Sequence, residues 1–156
     1  MATEIERKFL VDTAKWASIS KSIQVKMKQG YLVSLPDKTI RVRIAEEKAY
    51  LTIKGKSKNI SRPEFEYEIP VSDAYELLTI MGGNMVEKIR HYIVFDNCTW
   101  EVDVFEGDNK GLIVAEIELK SEDQIFNFPE WIAKEVTDDK RYTNSNLAIK
   151  PYGEWM

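Results

Sequence analysis

Apolar and polar residues alternate along this chain with a period of two, and the pattern returns eight times. The alternation predicts strands over 3–11, 23–34, 38–46, 48–55, 63–70, 85–96, 98–106 and 112–120. Turn-forming residues separate several of them: Leu35-Pro36-Asp37, Gly55 to Asn59, Asp96-Asn97 and Gly107 to Gly111. Connections this short predict antiparallel pairing. Helical segments are few. Thr13 to Ser18 reads as a turn or two. Ser72 to Met81 reads as a helix with Ser72 as N-cap, Asp73 in its first turn and Gly82-Gly83 at its end. Pro129 to Lys134 and Asn144 to Ile149 read as short helices. The class is mainly β with a few short helices (α+β). Eight antiparallel strands form a large sheet or close into a barrel.

Sorting each strand by face adds chemistry. On the first strand Glu4, Glu6 and Lys8 share one face, with Ile5, Arg7 and Phe9 on the other. Later strands set charged positions against apolar ones in the same way: Arg41 and Arg43; Lys54; Glu64, Glu66 and Glu68; Lys88 and Arg90; Glu101 and Asp103; Glu116 and Glu118. Any one such face would pass as ordinary solvated sheet. The set does not. Like charges recur two apart, about 7 Å along a strand, and neutral polar fillers are nearly absent. Acidic clusters call for cations and basic clusters for anions. A face that gathers both is suited to a metal ion and a polyanion together, and a barrel closed with that face inward would be a charged tunnel.

The 156 residues fit one domain, 1–156, and 31% of them are charged. A net charge of −4 argues against a general nucleic-acid binder. Cys98 is the only cysteine, so no internal disulfide is expected, and neither a signal peptide nor a membrane span is read. The expected setting is the cytoplasm. Lys54-Gly55-Lys56-Ser57 lacks the glycine spacing of a phosphate-binding loop. His91 shares parity with Ile89 and Ile93, and Trp16, Trp100, Trp131 and Trp155 read as packing residues. Glu68 and Glu101 are placed beyond the tunnel's end, in solvent.

The opening Glu4-x-Glu6-x-Lys8 resembles the signature of the CYTH superfamily, the triphosphate tunnel metalloenzymes. Further matches follow in order: Gln29 to Leu32, Arg41-x-Arg43, the TIKG segment with Lys54, Arg62-x-Glu64-x-Glu66, Glu87-Lys88-x-Arg90, the run with Asp103, Glu116-x-Glu118, and Asp139 to Leu147. The resemblance spans essentially the whole chain and is closest to small prokaryotic members. It implies an eight-stranded antiparallel tunnel holding a divalent metal, Mg or Mn, and a triphosphate. It implies phosphate binding by Lys8, Arg41, Arg43, Lys54, Lys88 and Arg90. It implies metal binding by Glu4, Glu6, Glu116 and Glu118, with Glu64, Glu66 and Asp103 completing the acidic side. Lys8, Lys88 and Arg90 would act catalytically, and Tyr31 matches a tyrosine proposed in the family as a proton acceptor. The implied activity is metal-dependent hydrolysis of inorganic tripolyphosphate or nucleoside triphosphates, by a monomer or homodimer. The alternatives are an adenylate cyclase on the same scaffold and a binding module without turnover.

Overall fold

A computed structural model describes residues 3–21, 23–83 and 85–155. Its strands are β1 (Thr3–Val11), β2 (Gln24–Leu35), β3 (Lys38–Ala45), β4 (Lys48–Lys54), β5 (Ser61–Ile69), β6 (Val86–Phe95), β7 (Cys98–Phe105), β8 (Ile113–Glu118) and β9 (Ile132–Glu135). Neighbours run in the order β5-β4-β3-β2-β6-β7-β8-β1, every pair antiparallel. β5 then pairs back onto β1 through Thr3 with Pro63, Glu4 with Arg62 and Ile5 with Ser61, which closes an eight-stranded barrel. The expected turn at Asp96-Asn97 forms with both residues at positive φ (49° and 63°), a conformation that short Asx side chains tolerate.

Three apolar clusters hold the barrel. The outer face of β1, β7 and β8 buries Phe9, Trp100 and Ile117 against Trp16 of α1 (Thr13–Ala17) and Trp131. The outer face of β3 and β4 buries Val42, Ile44 and Ala49 under Ala74 and Leu78 of α2 (Val71–Met81). The third cluster lies on the inward parity. Val86, Phe105 and Val114 fill one end of the barrel, and Leu147 and Ala148 of α3 (Asn144–Ile149) close over them. The interior is therefore half charged chamber and half apolar plug.

Two local expectations are corrected. Residues 129–134 are not a helix: Ile132–Glu135 form β9, which pairs with the stretch of β1 around Phe9 and Val11 that β5 does not reach. An open strand edge outweighs the local helix signal there. Ser72 does not cap α2. Pro70 ends β5 and stands at the N-cap with φ −58°, so Ser72 falls inside the helix.

Candidate active site

A cavity of about 720 Å³ occupies the charged half of the barrel. The strand order sorts its lining into two walls. β8, β1 and β5 are contiguous and contribute Glu116, Glu118, Glu4, Glu6, Glu64 and Glu66. β3 and β6 flank β2 and contribute Arg41, Arg43 and Arg90.

The acidic wall is crowded by its register, which sets Glu6 opposite Glu118 and Lys8 opposite Glu116. Lys54 Nζ reaches Glu4 Oε1 at 2.9 Å and Glu64 Oε2 at 3.4 Å. Burial would raise Glu4, but Lys54 outweighs it and holds the carboxyl down. Glu6 makes no ion pair among the described residues, and the pull of Lys54 and Lys8 on it is outweighed. Burial, then Glu116 and Glu4, push it well above the usual carboxylate value. Burial, with Glu4 and Glu64, also raises Glu118. Glu116, like Glu4, is held down: burial opposes ionisation, but Lys8 at 3.6 Å and Arg90 at 3.8 Å bring it to about 2. Burial works against the ammonium of Lys8, yet Glu116 and Glu6 raise it, so it stays charged. Its Nζ also donates to the Tyr142 carbonyl at 3.3 Å.

The basic wall is largely satisfied from within the protein; among the described residues Arg41 Nε is the exception, buried without a hydrogen-bond partner. Arg90 donates to Asp103 at 2.8 and 2.9 Å and to Glu101 at 2.8 Å. Lys88 Nζ, 0% exposed, donates to Asp103 Oδ2 at 2.7 Å and Asn144 Oδ1 at 3.0 Å. Burial pushes Lys88 down to about 7 despite the pull of Asp103, and Arg90 and Arg43 add to the push. Asp103 lies far below the usual range: burial would raise it, but Arg90 and Lys88 dominate. Arg41 donates to Thr52 Oγ1 at 3.0 Å, and the Thr52 hydroxyl donates in turn to Glu66 Oε2 at 3.0 Å. Arg43 Nε donates to Gln29 Oε1 at 2.7 Å, and Gln29 Nε2 donates to Tyr31 Oη at 3.1 Å.

Among the described residues, no three His, Cys, Asp or Glu side chains are already gathered as a metal cage. The acidic wall nonetheless fits a divalent cation. Glu4 Oε2 is buried without a hydrogen-bond partner, and Glu6 and Glu118 are raised by burial and by neighbouring carboxylates, whose charge a cation would neutralise. Hard oxygen donors of this kind suit Mg, Mn or Ca.

The chamber brings together Glu4, Glu6, Lys8, Tyr31, Arg41, Arg43, Lys54, Glu64, Glu66, Arg90, Glu116 and Glu118. Lys88 and Asp103 are not among its lining; they stand behind Arg90, at the edge of the apolar plug. Glu101 is corrected: it lies in the chamber and holds Arg90, because β7 pairs it with Tyr92 on one side and Glu116 on the other. Glu68, 59% exposed in its side chain, stands in solvent beside Lys48. The sequence reading gave no role to Arg62, Gln29 or Asn144. Arg62 lay inside a quoted motif, and Gln29 shared parity with Tyr31, so both carried a signal. Asn144 lay inside the quoted Asp139 to Leu147 segment, but only the fold brings it to Lys88.

Comparison with known proteins agrees with this geometry. The model of the CYTH domain matches residues 2–148. The chain is 48% identical over 153 residues to a protein named inorganic triphosphatase from Acetivibrio thermocellus, covering 97% of each. It is 38% identical to an inorganic triphosphatase from Nitrosomonas europaea, over 94% of this chain and 97% of that one. A solved structure of an inorganic triphosphatase aligns with TM-score 0.67 and 35% identity over 96% of each chain. A structure from Bacillus halodurans named for adenylate cyclase aligns with TM-score 0.60 over 78% of this chain and 84% of that one. At 16% identity it shares the fold alone.

Proposed function

The chain belongs to the CYTH domain family, and from that premise we propose that it is a divalent-cation-dependent triphosphatase acting on inorganic tripolyphosphate. The observation that carries this reading is the single chamber in which an acidic wall short of cations faces a basic wall of fixed guanidinium groups. A polyanion alone would be repelled by the first wall, and a cation alone by the second. A cation–triphosphate complex answers both.

Glu4, Glu6, Glu116 and Glu118 would hold the cation, Mg or Mn, with Glu64 and Glu66 beside them. When bound, it neutralises phosphate oxygens and acidifies water. Arg41, Arg43, Lys54 and Arg90 grip the phosphate chain, each charge-assisted contact worth about 1.5–3 kcal/mol. Asp103 and Lys88 act from behind: the carboxylate fixes the plane of Arg90, and the lysine fixes the carboxylate. Water adds to the terminal phosphorus as the bond to its bridging oxygen breaks, giving phosphate and pyrophosphate. The leaving oxygen's charge falls to Lys8, which its carboxylate neighbours keep protonated. Phosphoryl transfer asks little more of a protein than position and charge. The lone Cys98 supports a reducing, cytoplasmic setting.

The test is a substrate panel of tripolyphosphate, ATP and thiamine triphosphate, each with Mg, Mn or chelator, and with Glu6→Ala as control. We expect cation-dependent phosphate release, fastest from tripolyphosphate and lost in the variant. Cyclic AMP with pyrophosphate would establish a cyclase instead. Bound but uncleaved tripolyphosphate would leave a binding module.

A further inference from the structure

Gln29 is 0% exposed and carries an amide whose two ends have been fixed by its neighbours. Arg43 Nε, 2.7 Å from Oε1, has only a proton to give. The amide oxygen must therefore face Arg43, which turns the –NH₂ group toward Tyr31 Oη, 3.1 Å away. An amide –NH₂ can only donate. Tyr31 Oη is thus the acceptor in that contact, and its own hydrogen cannot point back at Gln29. The tyrosine lines the chamber, so that hydrogen is left for a group inside it. The three groups form one directional chain, from guanidinium to amide to phenol, and each link strengthens the next.

We propose that Gln29 is a positioning residue that makes Tyr31 a hydrogen-bond donor into the chamber, aimed at a phosphate oxygen. This reading rests on the triphosphatase assignment, and it replaces a proton-accepting Tyr31 with a proton-holding one. It accounts for a neutral amide on β2 at full burial between two charged strands. Retaining the amide oxygen alone would hold Arg43; the amide nitrogen is what orders Tyr31.

Gln29→Glu separates the two tasks. A carboxylate still accepts from Arg43 but cannot donate to Tyr31, so the phenol turns to give its proton to residue 29. We expect Gln29→Glu and Tyr31→Phe each to lower kcat for tripolyphosphate about tenfold, and the double variant to lose no more kcat than Tyr31→Phe alone. Any rise in KM from the added charge beside Arg43 is expected equally in both backgrounds. Wild-type kcat in either single variant, or losses that multiply in the double, would overturn the proposal. Failure of the triphosphatase reading would show differently, as absent phosphate release in the unaltered protein. A readout free of turnover is the ¹³Cζ signal of Tyr31 in labelled protein with Mg and a non-hydrolysable imido analogue of tripolyphosphate. The Mg–analogue complex should shift it in the unaltered chain and much less in Gln29→Glu; equal shifts in both would also overturn the donor role. Thermal melting of each variant confirms that the barrel is intact.

Discussion

The two walls of the chamber solve opposite problems. On the basic wall every cation near the plug has a protein partner: Arg90 holds Asp103 and Glu101, Lys88 holds Asp103 and Asn144, and Arg43 holds Gln29. On the acidic wall neutralisation stops short. Among the described residues one oxygen of Glu4 has no partner, and burial together with carboxylate neighbours raises Glu6 and Glu118. Near the plug the first wall is finished during folding and presents fixed geometry to whatever enters; only Arg41 Nε is left without a partner among the described residues. The second remains incomplete, and its cost is relieved only by a ligand that brings positive charge. Preorganisation and frustration sit a few ångströms apart, on strands drawn from one continuous sheet.

The comparison is broken most severely at Asp103. Replacing it with Ala leaves Lys88 without its carboxylate and Arg90 with weaker ones. The loss should be about 3–5 kcal/mol of unfolding free energy, read from urea denaturation. A loss under about 1 kcal/mol would mean the wall is not built around that carboxylate.

Next comes Glu6→Gln, which strikes the frustrated side. Cation-dependent turnover should fall at least about 100-fold, on the order of 3 kcal/mol. The same change should raise the melting temperature of the cation-free protein, because it removes a repelled carboxylate. A variant both inactive and less stable would count against an unfinished wall.

The pH dependence of stability distinguishes the carboxylates further. Folded Glu6 keeps its proton to higher pH than the ordinary value of 4.5, so its contribution is full in acid. That contribution is lost as pH climbs from 4.5 through its raised value. Glu116, held at about 2, behaves oppositely: its contribution is full above 4.5 and lost as pH falls toward 2. Melting curves between these limits should show the loss on the alkaline side shrink in Glu6→Gln, leaving the part due to Glu118, while the acid-side loss remains.

The smallest effect is expected at Glu101. Its side chain is 26% exposed, and Arg90 keeps two bonds to Asp103 without it. Glu101→Gln should cost no more than about 1 kcal/mol and change KM only slightly in steady-state assays. A loss as large as that of Asp103→Ala would make the two carboxylates one unit.

The eight strands were legible because a barrel with one charged and one apolar face writes a strict period of two into each of them. The charged parity also pointed to most of the chamber residues. What the alternation could not convey was position along the barrel. Val86, Phe105 and Val114 share parity with Lys88, Asp103 and Glu116, and only the register between strands gathers the apolar members at one end. Lys88 therefore read as a tunnel residue when it belongs to the boundary. Glu101 erred the other way, for the same reason. β9 was hidden because four residues of partner-seeking edge have no periodicity of their own; the gap beside β1 calls them into place.

The apolar plug under α3 makes the chamber a cul-de-sac. Whatever is admitted must back out along the path it took, and only a terminus can reach the bottom. A long linear polyphosphate would be shortened from its tip and never severed in its middle. A cyclic phosphate of the same composition, having no tip to offer, would be passed over.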